Sequence, residues 1–260
     1  MIDRRLLDRR LAGLEIGSAA WFTAQRHLID RKPLVRRCYE LWYGLLLRDA
    51  DSVPPEYAVY PIVELGSGSS FIRELRPEII TSDVIQSNVA VVFDGRQMPF
   101  RAGSVRALLL THVFHHIPDV KLFLAEAQRV LVPGGVVSMV DMTHTPFARF
   151  FLSVFHPEPY NARAIEWDFP AGHTMLDSNQ ALSWMVFFRD RAKLGKAASD
   201  LSLEHWSYLP WFSYLMSGGV NLPSFVPRML VPLVRTLDTL FRPLDPLFAI
   251  HWHLTLRKRI

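Results

Sequence analysis

The sequence lacks several features that would place it in familiar protein classes. Its 260 residues include a single cysteine, Cys38, so no disulfide can form within the chain. No run approaches the roughly 20 uncharged apolar residues of a membrane-spanning helix, because three prolines and three charged residues interrupt the most apolar stretch, residues 222–240. Residues 1–10 include six charged side chains and lack the apolar core of a signal peptide. These absences predict a cytoplasmic protein.

The sequence also lacks a large excess of either charge, since its formal net charge is only +4. Half of its residues are hydrophobic. This composition excludes a disordered chain. Residues 1–50 and 225–260 each carry +4, whereas residues 51–224 carry −4. Basic, aromatic ends suit peripheral contact with the inner face of a membrane, but solvated helix faces are the simpler interpretation. The sequence has no basic stripe interleaved with aromatics, so we expect no nucleic-acid partner.

The hydrophobic period of the chain changes near residue 60. Before that point, Ser18 is placed to cap a helix that runs to Asp30, and Pro33 suits the first turn of a second helix. After it, short apolar runs alternate with helical stretches, of which the clearest follows a capping Asp119; this alternation is typical of a parallel sheet covered on both faces. The predicted strands are residues 60–65, 78–82, 89–93, 105–111, 136–141, 201–209 and 248–256.

These patterns divide the chain into four predicted segments. Residues 1–57 form an N-terminal helical cap, and residues 58–145 form the strand-rich core. Residues 146–200 are irregular, aromatic and rich in histidine and proline, so we interpret them as an inserted lobe that holds the acceptor. Residues 201–260 contain two strands with a proline-punctuated helical hairpin between them. The sequence does not fix the oligomeric state.

The strongest chemical signal is the segment from Glu64 to Ser70, directly after the first core strand. Gly66 and Gly68 allow positive φ and a close approach of the backbone to a ligand. A dinucleotide site would favour a third glycine where this sequence has Phe71. A carboxylate at Glu64 suits a cationic or hydroxyl-bearing ligand better than a phosphate.

Acidic residues recur at the ends of the next two predicted strands. Asp83 ends one of them, where a carboxylate can accept hydrogen bonds from a ribose diol. Asp94 and Gly95 end the other, where a carboxylate can accept from an exocyclic amine, and Met98 follows in a segment that offers an apolar surface to a flat ring. Ligands of open α/β sheets bind at the carboxyl ends of the strands, so these residues predict one common site.

Two further motifs complete the pattern, one at Thr111–Asp119 and one at Arg129–Gly135. With them, residues 58–142 resemble class I S-adenosylmethionine-dependent methyltransferases of the type 11 branch. The resemblance implies an α/β fold with a Rossmann-like, doubly wound seven-stranded sheet whose last strand is antiparallel. The pattern departs from the family at Ser69, where a third glycine is usual. Later segments, including residues 156–159 and 166–169, are similar to a narrower bacterial group associated with surface-polysaccharide gene clusters.

The resemblance implies S-adenosylmethionine as the cofactor and assigns its parts to individual residues. The glycine loop would pass beneath the methionine portion, Asp83 would hold the ribose, Asp94 and Met98 would contact adenine, and Thr111 with His112 would line the methyl side. The cofactor-binding residues implied in this way are Glu64, Gly66, Ser67, Gly68, Asp83, Asp94, Gly95, Met98 and Thr111.

Direct in-line transfer from a sulfonium ion needs no covalent enzyme intermediate, but the proton of the acceptor must be removed. The candidates for a general base or for pocket lining are His112, His116, His144 and His156. His115 is a further candidate with a structural alternative, and Glu158 is near enough in sequence to orient His156. The histidines lack a clear ligand pattern with a matching distant partner, so no metal site is predicted.

The predicted acceptor is a hydroxyl on a sugar or on a lipid-linked glycan precursor. This hypothesis depends on the resemblance of the later segments and on the basic, aromatic ends of the chain. Two alternatives stay open: a quinone-like or other small apolar acceptor, and a non-catalytic scaffold that keeps the fold.

Overall fold

One seven-stranded sheet organises the computed structural model, which describes residues 7–170 and 177–260. The strands are β1 (Ile62–Leu65), β2 (Ile80–Asp83), β3 (Val91–Val92), β4 (Val105–Thr111), β5 (Leu131–Met142), β6 (Leu201–Tyr208) and β7 (His251–Lys258). Residues 1–6 of the predicted N-terminal cap and residues 171–176 of the predicted lobe lie outside the described residues.

Helices of very different lengths surround this sheet. They are α1 (Ala19–Arg31), α2 (Pro33–Asp51), α3 (Ile72–Leu75), α4 (Val120–Val130), α5 (Pro146–Val154), α6 (Leu182–Trp184), α7 (Arg191–Ala197), α8 (Phe212–Ser217), α9 (Val231–Phe241) and α10 (Asp245–Phe248). A π-helical turn, Met185–Arg189, continues α6, and 3₁₀ turns lie at Pro55–Tyr57, Phe114–His116, Arg228–Leu230 and Arg242–Leu244.

The strand order is β3-β2-β1-β4-β5-β7-β6. Strands β1 to β5 pair in parallel, and β7 runs antiparallel to both of its neighbours. The predicted seven-stranded sheet with an antiparallel last strand is therefore confirmed. The order reverses between β1 and β4, which places a crevice outside the carboxyl ends of these two strands, the usual place for a ligand in such sheets.

Both faces of the sheet are covered, because the central strands are apolar on both sides. Leu108 and Leu110 of β4 pack into one core cluster with Phe123 of α4. The intervening Leu109 packs into the opposite cluster with Trp42 of α2. Helix α2 therefore forms a layer of the fold, and burial on both faces explains why these strands read as continuous apolar runs.

The helix α1 has a local cap, and a polar contact ties the helix α2 to the sheet. Ser18 Oγ accepts from the amide of Trp21, which confirms the predicted cap of α1. Asp49 near the end of α2 accepts from Ser138 Oγ on β5 at 2.6 Å and from Thr255 Oγ1 on β7 at 2.6 Å. The same carboxylate lies 2.8 Å from His253 Nε2. One side chain thus joins a helix to two neighbouring strands.

Two element boundaries differ from the prediction for identifiable reasons. Strand β5 begins at Leu131 rather than at residue 136, because Leu131 already pairs with Val105 before the register shifts. The predicted hairpin near residues 223–245 is a series of short turns around α9, since prolines interrupt the helical hydrogen bonds.

Candidate functional site

A strained loop leaves the end of β1 and turns beneath the crevice. Gly66 and Gly68 adopt φ of +61° and +47°, a region that favours glycine. A Cβ atom built at Gly66 would overlap a methyl group of Val113, and one at Gly68 would lie 3.1 Å from the ring of Phe22. A side chain at Gly66 would therefore collide with Val113, and one at Gly68 would be disfavoured by its positive φ. The backbone at Gly66 lies open to a ligand.

The neighbouring strand supplies a carboxylate that is fixed in place. Asp83 at the end of β2 accepts from the amide of Gly68 at 3.1 Å and from the amide of Ile85 at 3.3 Å. The side chain is nearly buried, and this burial raises its pKa above the usual aspartate value although the backbone amides oppose the rise. These contacts hold the acid in a single orientation at the carboxyl edge of the sheet.

A cavity of about 360 Å³ opens at this edge, a size that suits a small-molecule cofactor. Its walls come from the ends of β1, β2 and β4, from α1 and from the residues after β3. The lining residues are Phe22, Leu65, Gly66, Ser82, Asp83, Val84, Ile85, Phe93, Asp94, Gly95, Arg96, His112, Val113, His116, Ile117, Pro118, Phe169 and Asp177.

Comparison with known families agrees with this geometry. Residues 66–139, which include the glycine loop, Asp83 and most of the cavity wall, match the family model described as a methyltransferase domain. This segment is a methyltransferase domain. The match agrees with the family that the sequence resembles, and S-adenosylmethionine is the methyl donor that this resemblance predicts.

Solved structures similar to this chain include three of bacterial origin. Geranyl diphosphate C-methyltransferase from Streptomyces coelicolor A3(2), in complex with S-adenosyl-L-homocysteine, is 14% identical and has a TM-score of 0.48; the match covers 97% of this chain and 90% of that one. YcgJ from Bacillus subtilis is 14% identical over 85% of this chain and 99% of that one, with a TM-score of 0.49. A putative methyltransferase from Bacillus halodurans C-125 is 17% identical over 84% and 99%, with a TM-score of 0.46. No curated protein matches the sequence.

The residues of the cavity fit the donor. Open backbone at Gly66 can lie against the methionine portion, and the fixed carboxylate of Asp83 can accept from both ribose hydroxyls. Phe93, Ile117 and Phe169 offer apolar walls for the adenine ring. Of the nine predicted cofactor residues, Gly66, Asp83, Asp94 and Gly95 line the cavity, and the adenine and ribose assignments stay predictions.

Asp94 is less free than the sequence suggested. Burial alone would raise its pKa, but hydrogen bonds from the side chain and the amide of Arg96 hold that pKa below its usual value. Arg96 Nη2 lies 2.7 Å from Asp94 Oδ2, and both residues line the cavity. An adenine ring bound to Asp94 would therefore share the carboxylate with the guanidinium of Arg96, a residue that the sequence did not indicate.

Four other predicted cofactor residues support the cavity from outside its wall. Met98 is buried in the core, and its amide donates to Glu126. Ser67 Oγ donates to the carbonyl of Glu64 and accepts from the amide of Ser82 at 3.2 Å, so its hydroxyl stabilises the loop. Gly68 packs below Phe22. Thr111 is half-buried at the end of β4.

Glu64 is buried behind the glycine loop. Its Oε1 accepts from Tyr43 at 2.5 Å, and its Oε2 has no hydrogen-bond partner among the described residues. Burial raises the pKa of Glu64 to about 7, against the opposing hydrogen bond from Tyr43. The carboxyl group thus lies one layer behind the loop instead of in the cavity wall.

His112 and His116 are the two predicted histidines that line the cavity. His112 adopts φ of +59°, and its ring lies edge-on to Trp42 and to His251. Burial, together with the neighbouring His115, lowers the pKa of His112 to about 4. His251 is buried, and neither of its ring nitrogens has a partner among the described residues.

His116 belongs to a polar cluster that continues away from the cavity. The buried ring of His115 lies between two carboxylates: its Nδ1 is 2.5 Å from Asp141 Oδ1, and its Nε2 is 3.3 Å from Glu158 Oε2. His116 Nε2 lies 3.6 Å from the same Glu158 oxygen. Burial opposes the charged form of His115, but the two carboxylates raise its pKa well above the usual value.

His144 and His156 do not line the cavity. His144 stacks on Trp184 at 3.7 Å between ring centroids and hydrogen bonds to Tyr160, and burial lowers its pKa to about 4. His156 Nδ1 accepts from the amide of Glu158. The Glu158 carboxylate lies beside His115 and His116, so the predicted orientation of His156 by this carboxylate is not seen.

Sequence reasoning missed several residues that the fold brings to this region. Phe22 reaches the cavity from α1, and Arg96 from the turn after Asp94. His251 begins the last strand and comes beside His112 only because β7 pairs with β5. No local motif marks these positions. The sequence predicted Glu158 as a partner of His156, whereas its carboxylate lies beside His115 and His116.

Proposed function

We propose that this methyltransferase transfers a methyl group from S-adenosylmethionine to a hydroxyl of a lipid-linked sugar acceptor while the protein rests on an anionic membrane surface. The observation that carries the proposal is a surface at one end of the molecule, which we call the outer apolar face. It consists of the exposed side chains of α5, of Phe155 directly after that helix and of residues 223–247.

The outer apolar face concentrates large hydrophobic side chains that would otherwise be unfavourable in water. Many exposed apolar side chains on helices that pack together indicate an interaction site, whereas scattered single residues do not. Its exposed large apolar residues are Phe150, Val154, Phe155, Phe225, Met229, Leu230, Leu233, Leu240, Leu244 and Leu247.

Charge on this face has one sign. The exposed charged side chains of these segments are Arg149, Arg228, Arg235 and Arg242. The acidic residues within 223–247 are turned inward: Asp238 accepts from the amide and hydroxyl of Ser213, and Asp245 is 8% exposed. Arginine among apolar side chains complements an anionic bilayer, where each basic residue near the surface contributes about 1 kcal/mol.

An aromatic stack holds the outer apolar face together. Trp211 stacks on Phe248 of α10 at 5.0 Å and on Phe241 of α9 at 6.0 Å between ring centroids. Phe248 also contacts Phe147 of α5. Helices from separate parts of the chain therefore form one surface.

This surface lies at the same edge of the sheet as the cavity. Helix α5 follows the carboxyl end of β5, and α10 leads into β7, whose first residue, His251, pairs with Met142. The cavity opens at the carboxyl ends of the neighbouring parallel strands. A protein resting on a bilayer through this face would bring its cavity close to the lipid headgroups, where a lipid-linked sugar presents its hydroxyls.

In the proposed reaction the acceptor oxygen attacks the methyl carbon in line with the carbon–sulfur bond. The electrons of that bond remain on sulfur, and the hydroxyl proton leaves to a base. His112 lines the cavity with a lowered pKa and is neutral near pH 7, so it can take this proton. Replacing His112 by Ala should lower kcat by about 10²–10⁴-fold with little change in donor affinity. An unchanged kcat would exclude His112 as the base.

The acceptor is tested by incubating the protein with isotope-labelled S-adenosylmethionine and host extract, followed by separation into lipid, glycan, small-molecule, RNA and protein fractions. Label in a lipid-linked glycan supports the proposal. Label in a quinone-like isoprenoid would keep the membrane surface but overturn the sugar acceptor. Label in RNA or protein would overturn the acceptor class altogether.

Membrane contact is tested separately by flotation with vesicles of phosphatidylcholine that contain, or lack, phosphatidylglycerol. In the described residues, no helix has the length and hydropathy needed to cross a bilayer. We expect binding to the anionic vesicles and its loss in Met229→Glu, since Met229 is 82% exposed on the outer apolar face. Ile165→Glu is the matched control, because Ile165 is 85% exposed elsewhere. Equal binding of the two variants would refute the assignment of this face.

A further inference from the structure

We propose that His115, His116 and Glu158 bind a divalent transition-metal ion beside the cavity. The three side chains come from the turn after β4 and from the segment after α5, and the fold brings them together. Among the described residues they form a group whose ligand atoms all lie within 4.8 Å of one another. The site is independent of the acceptor proposed above; only its role in the reaction rests on that proposal.

The distances suit a metal with two histidine ligands and one carboxylate. Zinc binds nitrogen and oxygen ligands at about 2.0–2.2 Å, which separates the ligands of a tetrahedral site by about 3.4 Å. Glu158 Oε2 lies 3.3 Å from His115 Nε2 and 3.6 Å from His116 Nε2. The carboxylate therefore already stands at ligand spacing from both imidazoles.

Each proposed ligand is also held by hydrogen bonds to neighbouring groups, as the ligands of metal sites usually are. His115 directs its other nitrogen, Nδ1, to Asp141 Oδ1, and His116 Nδ1 lies 3.4 Å from the carbonyl oxygen of Asp177. Gln180 donates to Glu158 Oε2, and Ser178 Oγ lies 3.3 Å from it. Both Nε2 atoms and the carboxylate thus face one another.

The electrostatics of the cluster favour a cation. Asp141 is fully buried and Glu158 is largely buried, and among the described residues their ion-pair partners are imidazoles alone. Asp141 Oδ2 and Gln180 Oε1 are buried without hydrogen-bond partners in the described parts of the chain. A divalent ion would balance two buried carboxylates more fully than one shared proton does.

Three protein ligands leave at least one position for an exogenous oxygen, the arrangement of catalytic rather than structural zinc sites. His116 lines the cavity, so this position would be reached from the cavity side. A hydroxyl bound there loses its proton more readily, because the metal stabilises the alkoxide. The metal would bind and orient the acceptor hydroxyl and would undergo no change of oxidation state.

The test is metal binding to the full chain, measured without donor or acceptor. The protein is stripped with a chelator and titrated with Co²⁺, and bound metal is followed by visible absorption and elemental analysis. We expect one ion per chain in the native sequence and in the control His205→Gln, which removes an exposed histidine on β6. His116→Gln and Glu158→Gln should abolish the absorption band, and Asp141→Asn should weaken affinity by about 10–100-fold.

The outcomes separate this inference from the proposed function. Uptake of Co²⁺ that is lost in His116→Gln supports the site, whichever acceptor is found. Equal uptake by the native protein and both ligand variants, or no uptake by a correctly folded native protein, would overturn it and identify the cluster as an ion pair only. Circular dichroism checks that each variant is folded. His116→Gln is the substitution that should disturb the core least, because His116 is only half-buried.

Discussion

The buried carboxyl group of Glu64 should make the stability of the protein depend on pH. Glu64 lies behind the glycine loop with Tyr43 as its hydrogen-bond donor, and burial raises its pKa to about 7. Replacing Glu64 by Gln keeps the acceptor oxygen for Tyr43 and removes the charge. The variant should therefore match the native protein in acid and exceed its stability above neutral pH.

The magnitude follows from the difference between the two pKa values. The folded protein holds the Glu64 proton more tightly than the unfolded chain, so its stability is highest below the ordinary pKa of 4.5 and falls as the pH rises to about 7. At 1.36 kcal/mol for each pH unit, the loss approaches about 3 kcal/mol. Above about pH 7 the loss is complete, and the curve becomes flat for this group.

Urea unfolding at about pH 5 and about pH 8.5 measures this effect. We expect Glu64→Gln to be more stable than the native protein by about 3 kcal/mol at the higher pH, with a much smaller difference at the lower pH. Exposed Glu56→Gln is the control, and it should change stability little at either pH. If the advantage of Glu64→Gln were the same at both pH values, the assignment of a buried, ionising carboxyl group would be wrong.

Three further substitutions test the loop and the frame that holds it. Gly66→Ala should lower stability by at least about 1–2 kcal/mol in thermal unfolding, because φ is +61° and the new methyl group meets Val113. Asp83→Ala should weaken S-adenosylmethionine binding by about 10–100-fold in calorimetry, since hydrogen bonds to a charged group contribute about 1.5–3 kcal/mol; unchanged affinity would contradict the ribose assignment. Asp49→Ala should lower the free energy of unfolding by about 2–4 kcal/mol, because it leaves buried donors on β5 and β7 unpaired; a neutral result would contradict that role.

Much of the fold was predictable because local chemistry and global architecture agree. The cap at Ser18 and the strand Val105–Thr111 follow from short patterns, and both appear as predicted. Gly66 and Asp83 lie in the cavity wall because any open parallel sheet brings the ends of neighbouring strands together. Two element boundaries were harder to predict. The strand β3 is short and exposed, and prolines divide the predicted helical hairpin.

The sequence by itself determined the doubly covered parallel sheet and the glycine loop, because each depends on residues close together in the chain, and its motifs predicted the methyl donor through a family resemblance. Only the tertiary structure decided which histidines meet the cavity and which carboxylates face them. His115 and Glu158 are far apart in sequence and lie 3.3 Å apart in space, and His251 reaches His112 through the pairing of β7 with β5. Contacts of this kind depend on strand register and on helix packing across the sheet, and no local pattern of residues encodes them.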